Sequence, residues 1–339
     1  MKHDFADHLR RYGPGANAGS PSLPQARAYC RQLALTHYEN FLVGSFLLPR
    51  RLVPHFHALY AYCRWADDLA DEVADPVEAL ALLAWWRGEL LQLYAGRTRH
   101  PVMVALAETV REFDLPAEPF LDLLVAFEQD QRVRGYATFA ELLGYCRYSA
   151  NPVGRLVLGL FRCATPDRIA RSDAICTGLQ LANFWQDVAR DAAKGRVYLP
   201  AADVERFGCT LEAIRSGPFT PALGELMRFE VARARSFLQA GAPLVDQVPE
   251  AARVDVALFV AGGHAVLDAI ERQGGDVWQR RPTVSKAVQA RLLLGALVRH
   301  KLGLGGWRRP TLVVPPWPAD APVPSMLPSG SCLPPRAGP

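Results

Sequence analysis

Two acidic segments carry the residues that could do chemistry. The first reads Arg64-Trp65-Ala66-Asp67-Asp68-Leu69-Ala70-Asp71-Glu72, and the second Asn183-Phe184-Trp185-Gln186-Asp187-Val188-Ala189-Arg190-Asp191. On a helix, Asp67 and Asp71 lie one turn apart on one face, with Cβ atoms roughly 5–6 Å from each other. Asn183, Asp187 and Asp191 make a second stripe of the same period. Two carboxylates held near 4 Å repel by roughly 4 kcal/mol at an effective dielectric of 20. If the stripes face inward, a divalent cation offsets that repulsion. Mg²⁺ accepts one or two carboxylates and fills its other positions with water and phosphate oxygens. Two facing stripes could therefore hold a metal–diphosphate between them. A single D-x-x-x-D is more often a solvated acidic face. The pair, each set in an apolar and aromatic stretch, leaves both readings open on spacing alone.

The elements that must position these stripes are helices. From Gln25 to about Trp307 apolar residues recur at intervals of three and four. The pattern breaks at Leu48-Pro49 with Val53-Pro54, and at Asp75-Pro76, His100-Pro101, Leu115-Pro116, Asn151-Pro152, Thr165-Pro166, Leu199-Pro200 and Gly217-Pro218 to Pro221. The first acidic motif follows the apolar run Phe56 to Cys63 and is predicted near a helix C-terminus. No run of alternating β-branched residues and no fixed-period repeat interrupts the pattern. The expected fold is all-α. Residues 1–24, rich in Gly, Pro and Ser, read as a loose arm. Residues 308–339 hold ten prolines, cannot continue a helix, and read as a disordered tail.

Composition narrows the function classes. Of 339 residues, 50% are hydrophobic and 21% charged, enough for a large core. A net charge of +4 is too small for the basic field of a nucleic-acid binder. Seven cysteines, none in a C-x-x-C pair, indicate neither a zinc site nor a disulfide framework. They suit a reducing cytoplasm. The charged opening MKHDFADHLRRYGPG is no secretory signal, and no apolar window is long enough to span a bilayer. Gly303-Leu304-Gly305-Gly306 follows a helical pattern and is no dinucleotide fingerprint. His55, His57 and His264 are isolated and read as packing or surface residues.

The segments ALYAYCRWADDLADE (58–72), ELLGYCRYSANPVG (141–154), LQLANFWQDVARDAAKGRVYLP (179–200) and His37-Tyr38-Glu39-Asn40-Phe41 resemble the squalene and phytoene synthases. These are the trans-isoprenyl diphosphate synthases that join prenyl chains head to head. The resemblance spans roughly residues 30–290. It implies a single isoprenoid-synthase-type helical domain, residues 25–307, around a central apolar cavity. It implies Mg²⁺ held by Asp67, Asp71, Asp187 and Asp191, with Asp68 and Asn183 beside the metal. Arg64, Arg196, Tyr198 and Arg280 would grip the diphosphate, together with the loop bearing His37, Asn40 and Phe41. Tyr60, Tyr145, Gln180 and Phe41 would surround the reacting carbons. Phe184 and Trp185 could also face a carbocation, although core packing is the plainer reading of each.

Three departures from common family patterns, Glu39-Asn40-Phe41, Ser149 to Gly154, and Phe184-Trp185-Gln186, resemble the hydroxysqualene-forming branch of bacterial hopanoid synthesis. The implied reaction is Mg²⁺-dependent conversion of presqualene diphosphate and water to hydroxysqualene and diphosphate, with Asn151 or Glu39 placing the water. The alternatives are head-to-head condensation of two prenyl diphosphates, such as farnesyl diphosphate, to presqualene diphosphate, squalene or phytoene, and a non-catalytic protein that binds isoprenoid diphosphates. The implied partners are the prenyl diphosphate, other enzymes of squalene and hopanoid synthesis, and the inner membrane surface as a peripheral contact. Nucleic acid is not among them.

Overall fold

The computed structural model describes residues 5–16, 19–36 and 48–302, and these form fifteen α-helices and no strand. In chain order they are α1 (Phe5–Tyr12), α2 (Leu23–Thr36), α3 (Val53–Asp71), α4 (Pro76–Tyr94), α5 (Pro101–Phe113), α6 (Glu118–Asp130), α7 (Phe139–Ser149) and α8 (Asn151–Leu160). They continue as α9 (Pro166–Ala193), α10 (Ala201–Arg206), α11 (Leu211–Ser216), α12 (Pro221–Gly241), α13 (Leu244–Gln247), α14 (Glu250–Arg272) and α15 (Lys286–Lys301). Prolines stand in the first turn of α3, α4, α5, α6, α8, α9 and α12. A missing N–H costs nothing there. Asp75, Thr138, Thr165, Thr220 and Ser285 cap the helices that follow them, each side chain accepting from a first-turn amide.

One core gathers α2 to α6 around Trp65 and Trp86, both fully buried and stacked at 5.3 Å. A second gathers α7, α9 and α12 around Trp185, whose indole N–H donates to the Glu230 carbonyl at 3.1 Å. The 28-residue α9 runs through the middle, touching α7, α8, α12 and α14. Glycines set how closely it packs. A Cβ at Gly178 would fall 2.8 Å from Leu238, and one at Gly241 would meet Ile175 at 2.4 Å and the Arg171 carbonyl at 2.6 Å. Part of the second clash is with backbone, so the two helices would have to separate. Gly241→Ala is expected to cost about 2 kcal/mol, read as a lower melting temperature by calorimetry. An unchanged melting temperature would show that α9 and α12 part freely.

The amino-terminal reading needs one correction. Within the stretch read as a loose arm, residues 5–12 form a helix. Phe5 lies edge-on to Trp65 at 5.2 Å, and the His8 ring meets the Tyr29 hydroxyl, which also accepts from the Trp65 indole at 3.0 Å. Phe5, Leu9 and Tyr12, spaced at four and three, give this short helix an apolar stripe. The Gly, Pro and Ser of residues 13–24 mask it in composition. Among the described residues no helix is long and apolar enough to cross a membrane.

Candidate active site

Helix α3 carries Tyr60, Arg64, Asp67 and Asp71 along one side and ends at the first acidic motif, where the Glu72 amide donates to the Asp68 carbonyl at 2.9 Å. Helix α9 carries Gln180, Asn183, Asp187 and Asp191 towards its own C-terminal end. Gly195 then adopts φ +79°, a left-handed conformation natural to glycine, and turns the chain back. The strip that follows lies beside Arg134 to Ala137: Val197 N donates to the Arg134 carbonyl at 2.8 Å and Ala201 N to the Tyr136 carbonyl at 3.0 Å. This turn places Arg196 between the two motifs. Its guanidinium lies 3.7 Å from the Asp71 carboxylate and donates to the Asp130 carbonyl at 3.4 Å. Gln131 adds a second tie, donating to the Ala70 carbonyl at 2.9 Å.

Every acid with a resolved shift in this site is pushed towards its neutral form. Burial raises Asp68 to about 6, against its contact with the Arg64 guanidinium. Burial, and then the charge of Asp187, raise Asp191 to about 6, while Lys194, Arg196 and Arg190 oppose the shift. Asp67 is raised by burial, opposed by Arg64 and reinforced by Asp71. Asp130, at the end of α6, is raised by burial to about 7, with Asp71 and Asp67 pushing the same way. Crowded, partly desolvated carboxylates of this kind gain from a bound cation.

Among the described residues no group of three or more acidic, histidine or cysteine side chains is preassembled for a metal. Each motif instead offers a pair of carboxylates, and Asn183 lies exposed on the same stripe. That donor set fits Mg²⁺, which needs few protein ligands when substrate phosphate supplies the rest. Asp67, Asp71, Asp187 and Asp191 would hold it.

The structure also turns the loop between α14 and α15 onto the second motif. Arg281 grips Asp187 with both arms, at 2.5 and 2.8 Å, and donates to Gln186 Oε1 at 3.0 Å. Arg280, the residue indicated by resemblance, is exposed. In a non-helical segment neighbouring side chains point to different sides, and the Gln186 amide bond to the Pro282 carbonyl fixes which one faces in. Any cation on Asp187 must displace part of this fork. Arg281→Gln is therefore expected to raise Mg²⁺ affinity several-fold in calorimetric titration without diphosphate, and an unchanged or weaker affinity would contradict it.

An aromatic wall adjoins the acids. Tyr198 stacks on Phe184 at 3.9 Å, and Tyr145 lies 6.0 Å from each. The buried Tyr145 hydroxyl donates to Asp130 Oδ2 at 2.8 Å. Trp185 points the other way, into the core. Asn151 is fully buried, its Oδ1 accepting from Thr177 at 3.0 Å and its Nδ2 unpartnered. His37, Glu39, Asn40 and Phe41 lie outside the described residues. Sequence reading missed Asp130 and Lys194; it weighs Arg280 and Arg281 together as groups that could attract a diphosphate, and the structure turns Arg281 inward. The only sequence signal for Asp130 is the dense polar run Glu128 to Arg132 closing an apolar helix.

Fold and site together define an all-α protein whose two acidic helix ends, joined by arginine, suit a metal-bound diphosphate. Residues 35–288 match the squalene/phytoene synthase family, and the chain belongs to it. It is 32% identical over 268 residues to phytoene synthase of Arthrospira platensis, covering 75% of this chain and 87% of that one. It is 30% identical to 15-cis-phytoene synthase of a Synechocystis species, covering 78% and 82%. Among known structures, squalene synthase HpnC from Alicyclobacillus acidocaldarius superposes with a TM-score of 0.72 at 45% identity, over 74% of this chain and 95% of that one. A dehydrosqualene synthase with bound ligand gives 0.75 at 25% identity, over 83% and 98%. The protein is thus an enzyme of a divalent-metal-dependent family that acts on prenyl diphosphates.

Proposed function

We propose that this enzyme converts presqualene diphosphate and water to hydroxysqualene and diphosphate with Mg²⁺, within squalene and hopanoid synthesis. The observation that carries the squalene branch is the 45% identity with squalene synthase HpnC across 95% of that chain, against about 30% with phytoene synthases. The water quench rests on the sequence departures at 39–41, 149–154 and 184–186.

Bound to Asp67, Asp71, Asp187 and Asp191, Mg²⁺ supplies Lewis acidity to the leaving diphosphate. Arg196 and Arg64, already set among these acids, donate to the phosphate oxygens. The C–O bond breaks with its electron pair going to diphosphate. The cyclopropylcarbinyl cation left behind rearranges, a cyclopropane C–C bond breaks to open the ring, and an allylic cation results. Tyr60, Tyr145 and Tyr198 offer aromatic faces to these cations, worth about 0.5–2 kcal/mol each. Water then forms the new C–O bond and releases one proton. Asp130, linked to the Tyr145 hydroxyl, takes up that proton.

The test is gas chromatography–mass spectrometry of products after incubation with presqualene diphosphate and Mg²⁺, without a nicotinamide. Hydroxysqualene is the expected product. Presqualene diphosphate or phytoene formed from shorter prenyl diphosphates, with no turnover of presqualene diphosphate, would replace this reading with head-to-head condensation. That second reading is favoured by the relatives named phytoene synthase.

A further inference from the structure

The strip that carries Arg196 and Tyr198 runs straight into α10, and α10 is held by a buried cluster of charge. Asp203 of α10 pairs with Arg233 of α12 through both terminal nitrogens of the guanidinium, at 2.8 and 3.4 Å. The nitrogen that makes the shorter bond also lies 3.3 and 3.4 Å from the two oxygens of Glu230, whose side chain is fully buried. The Glu230 and Asp203 carboxyl groups hydrogen-bond each other as well. Arg233 is flanked by the rings of Phe139 at 3.9 Å and Phe229 at 4.4 Å. Phe139 opens α7, the helix that carries Tyr145. One arginine thus ties α12 to both elements that build the aromatic wall. A further cation on α10, Arg206, lies over the Phe229 ring at 4.9 Å. From α9 the Trp185 indole meets the backbone carbonyl of Glu230.

A hydrogen bond between two carboxyl groups requires a proton on one of them. Burial raises the Glu230 carboxyl to about 8, with Arg233 opposing the shift and Asp203 reinforcing it. Glu230 is therefore the protonated member at neutral pH, and Asp203 is the charged partner of Arg233. Loss of that proton leaves two adjacent carboxylates on one buried cation, a repulsion that burial magnifies. Glu230 sits within the 21-residue α12, whereas Asp203 sits on the six-residue α10, so Asp203 is the side that yields. We propose that Asp203, Glu230 and Arg233 form a positioning latch for residues 196–200, closed while one proton is shared between the two carboxyl groups. Opening it shifts α10, draws Arg196 from between the two acidic motifs and slides Tyr198 off Phe184. The inference goes beyond the proposed reaction and stands whichever prenyl product is made.

The full chain is tested from neutral to alkaline pH in two ways. One is kcat/KM, at saturating Mg²⁺, for the prenyl diphosphate it turns over. The other is hydrogen exchange of peptides spanning 196–204, corrected for the intrinsic rise of exchange with pH, which reads the latch without substrate. In the wild type kcat/KM is expected to fall about tenfold across a break near 8, with exchange at 196–204 rising over the same interval. Glu230→Gln keeps a donor to Asp203 that does not titrate, and should hold both readouts at their neutral-pH values. Asp203→Asn removes the other negative charge and should do the same, which keeps the test decisive if Glu230→Gln does not fold. A cluster that served stability alone would change the melting temperature without moving a break in kcat/KM. A flat wild-type profile overturns the proposal, as does a break that persists in either folded variant. So does a wild-type break with no change in exchange at 196–204, since the strip is then not what moves.

Discussion

Asp67→Asn and Asp187→Asn are each expected to lower turnover about a thousandfold or more, with little change in fold. Each asparagine keeps the shape of the side chain and removes one negative charge from the set proposed to hold a cationic metal against a diphosphate. The loss falls on the transition state, where charge grows on the leaving oxygen, so kcat falls with kcat/KM. The helices do not depend on these carboxylates. Trp65 is held by the Tyr29 hydroxyl and Trp185 by the Glu230 carbonyl, and circular dichroism should therefore be unchanged. In Asp187→Asn the Arg281 fork loses its charged partner, so the loop between α14 and α15 should become more open to protease. Retention of a tenth of the activity by either variant would remove that acid from the metal-binding set.

Asp130→Asn should lower turnover about a hundredfold, the scale of a lost proton acceptor. It also separates chemistry from stability by sign. Burial raises the Asp130 carboxyl to about 7, well above the ordinary value near 4. The folded protein therefore holds this proton at pH values where the unfolded chain has released it. Stability from this group is greatest at acid pH, declines as pH rises from about 4 to about 7, and stays reduced above that. The neutral asparagine avoids that cost, so the variant should be at least as stable as wild type at pH 8 while being far less active. The carboxylate is also the form that accepts the proton. Wild-type turnover should fall on the acid side of a break at or below about 7, since a nearby cation lowers the value, and the variant should lack this break. A variant that is both inactive and unfolded would reduce Asp130 to a packing role. Tyr145→Phe, which removes the hydroxyl that donates to Asp130, should also lower turnover but keep the break and move it upward, because that hydrogen bond favours the charged carboxylate.

The acidic stripes, the helix breaks and the fold class were legible in the sequence because each depends on local rules. Helical period alone puts Asp67 with Asp71 and Asn183 with Asp187 and Asp191. The prolines at 54, 76, 101, 152, 166 and 221 stand at helix starts, where a ring nitrogen displaces no hydrogen bond. The segments at 58–72, 141–154 and 179–200 resemble the squalene and phytoene synthases, and the match over residues 35–288 agrees. Composition misled at residues 5–12, where a short apolar stripe is diluted by the Gly- and Pro-rich stretch after it. The remaining features join residues far apart in the chain. Arg281 meets Asp187 across 94 positions, Tyr145 meets Asp130 between separate helices, and Arg196 reaches Asp71 only because Gly195 reverses the chain. Which of Arg280 and Arg281 faces inward is decided by the Gln186 bond to Pro282. The sequence by itself determined which groups could do the chemistry, because residue type and helical spacing are local. Only the tertiary structure decided which of them meet, because burial and ion pairing arise when separate helices close on one another.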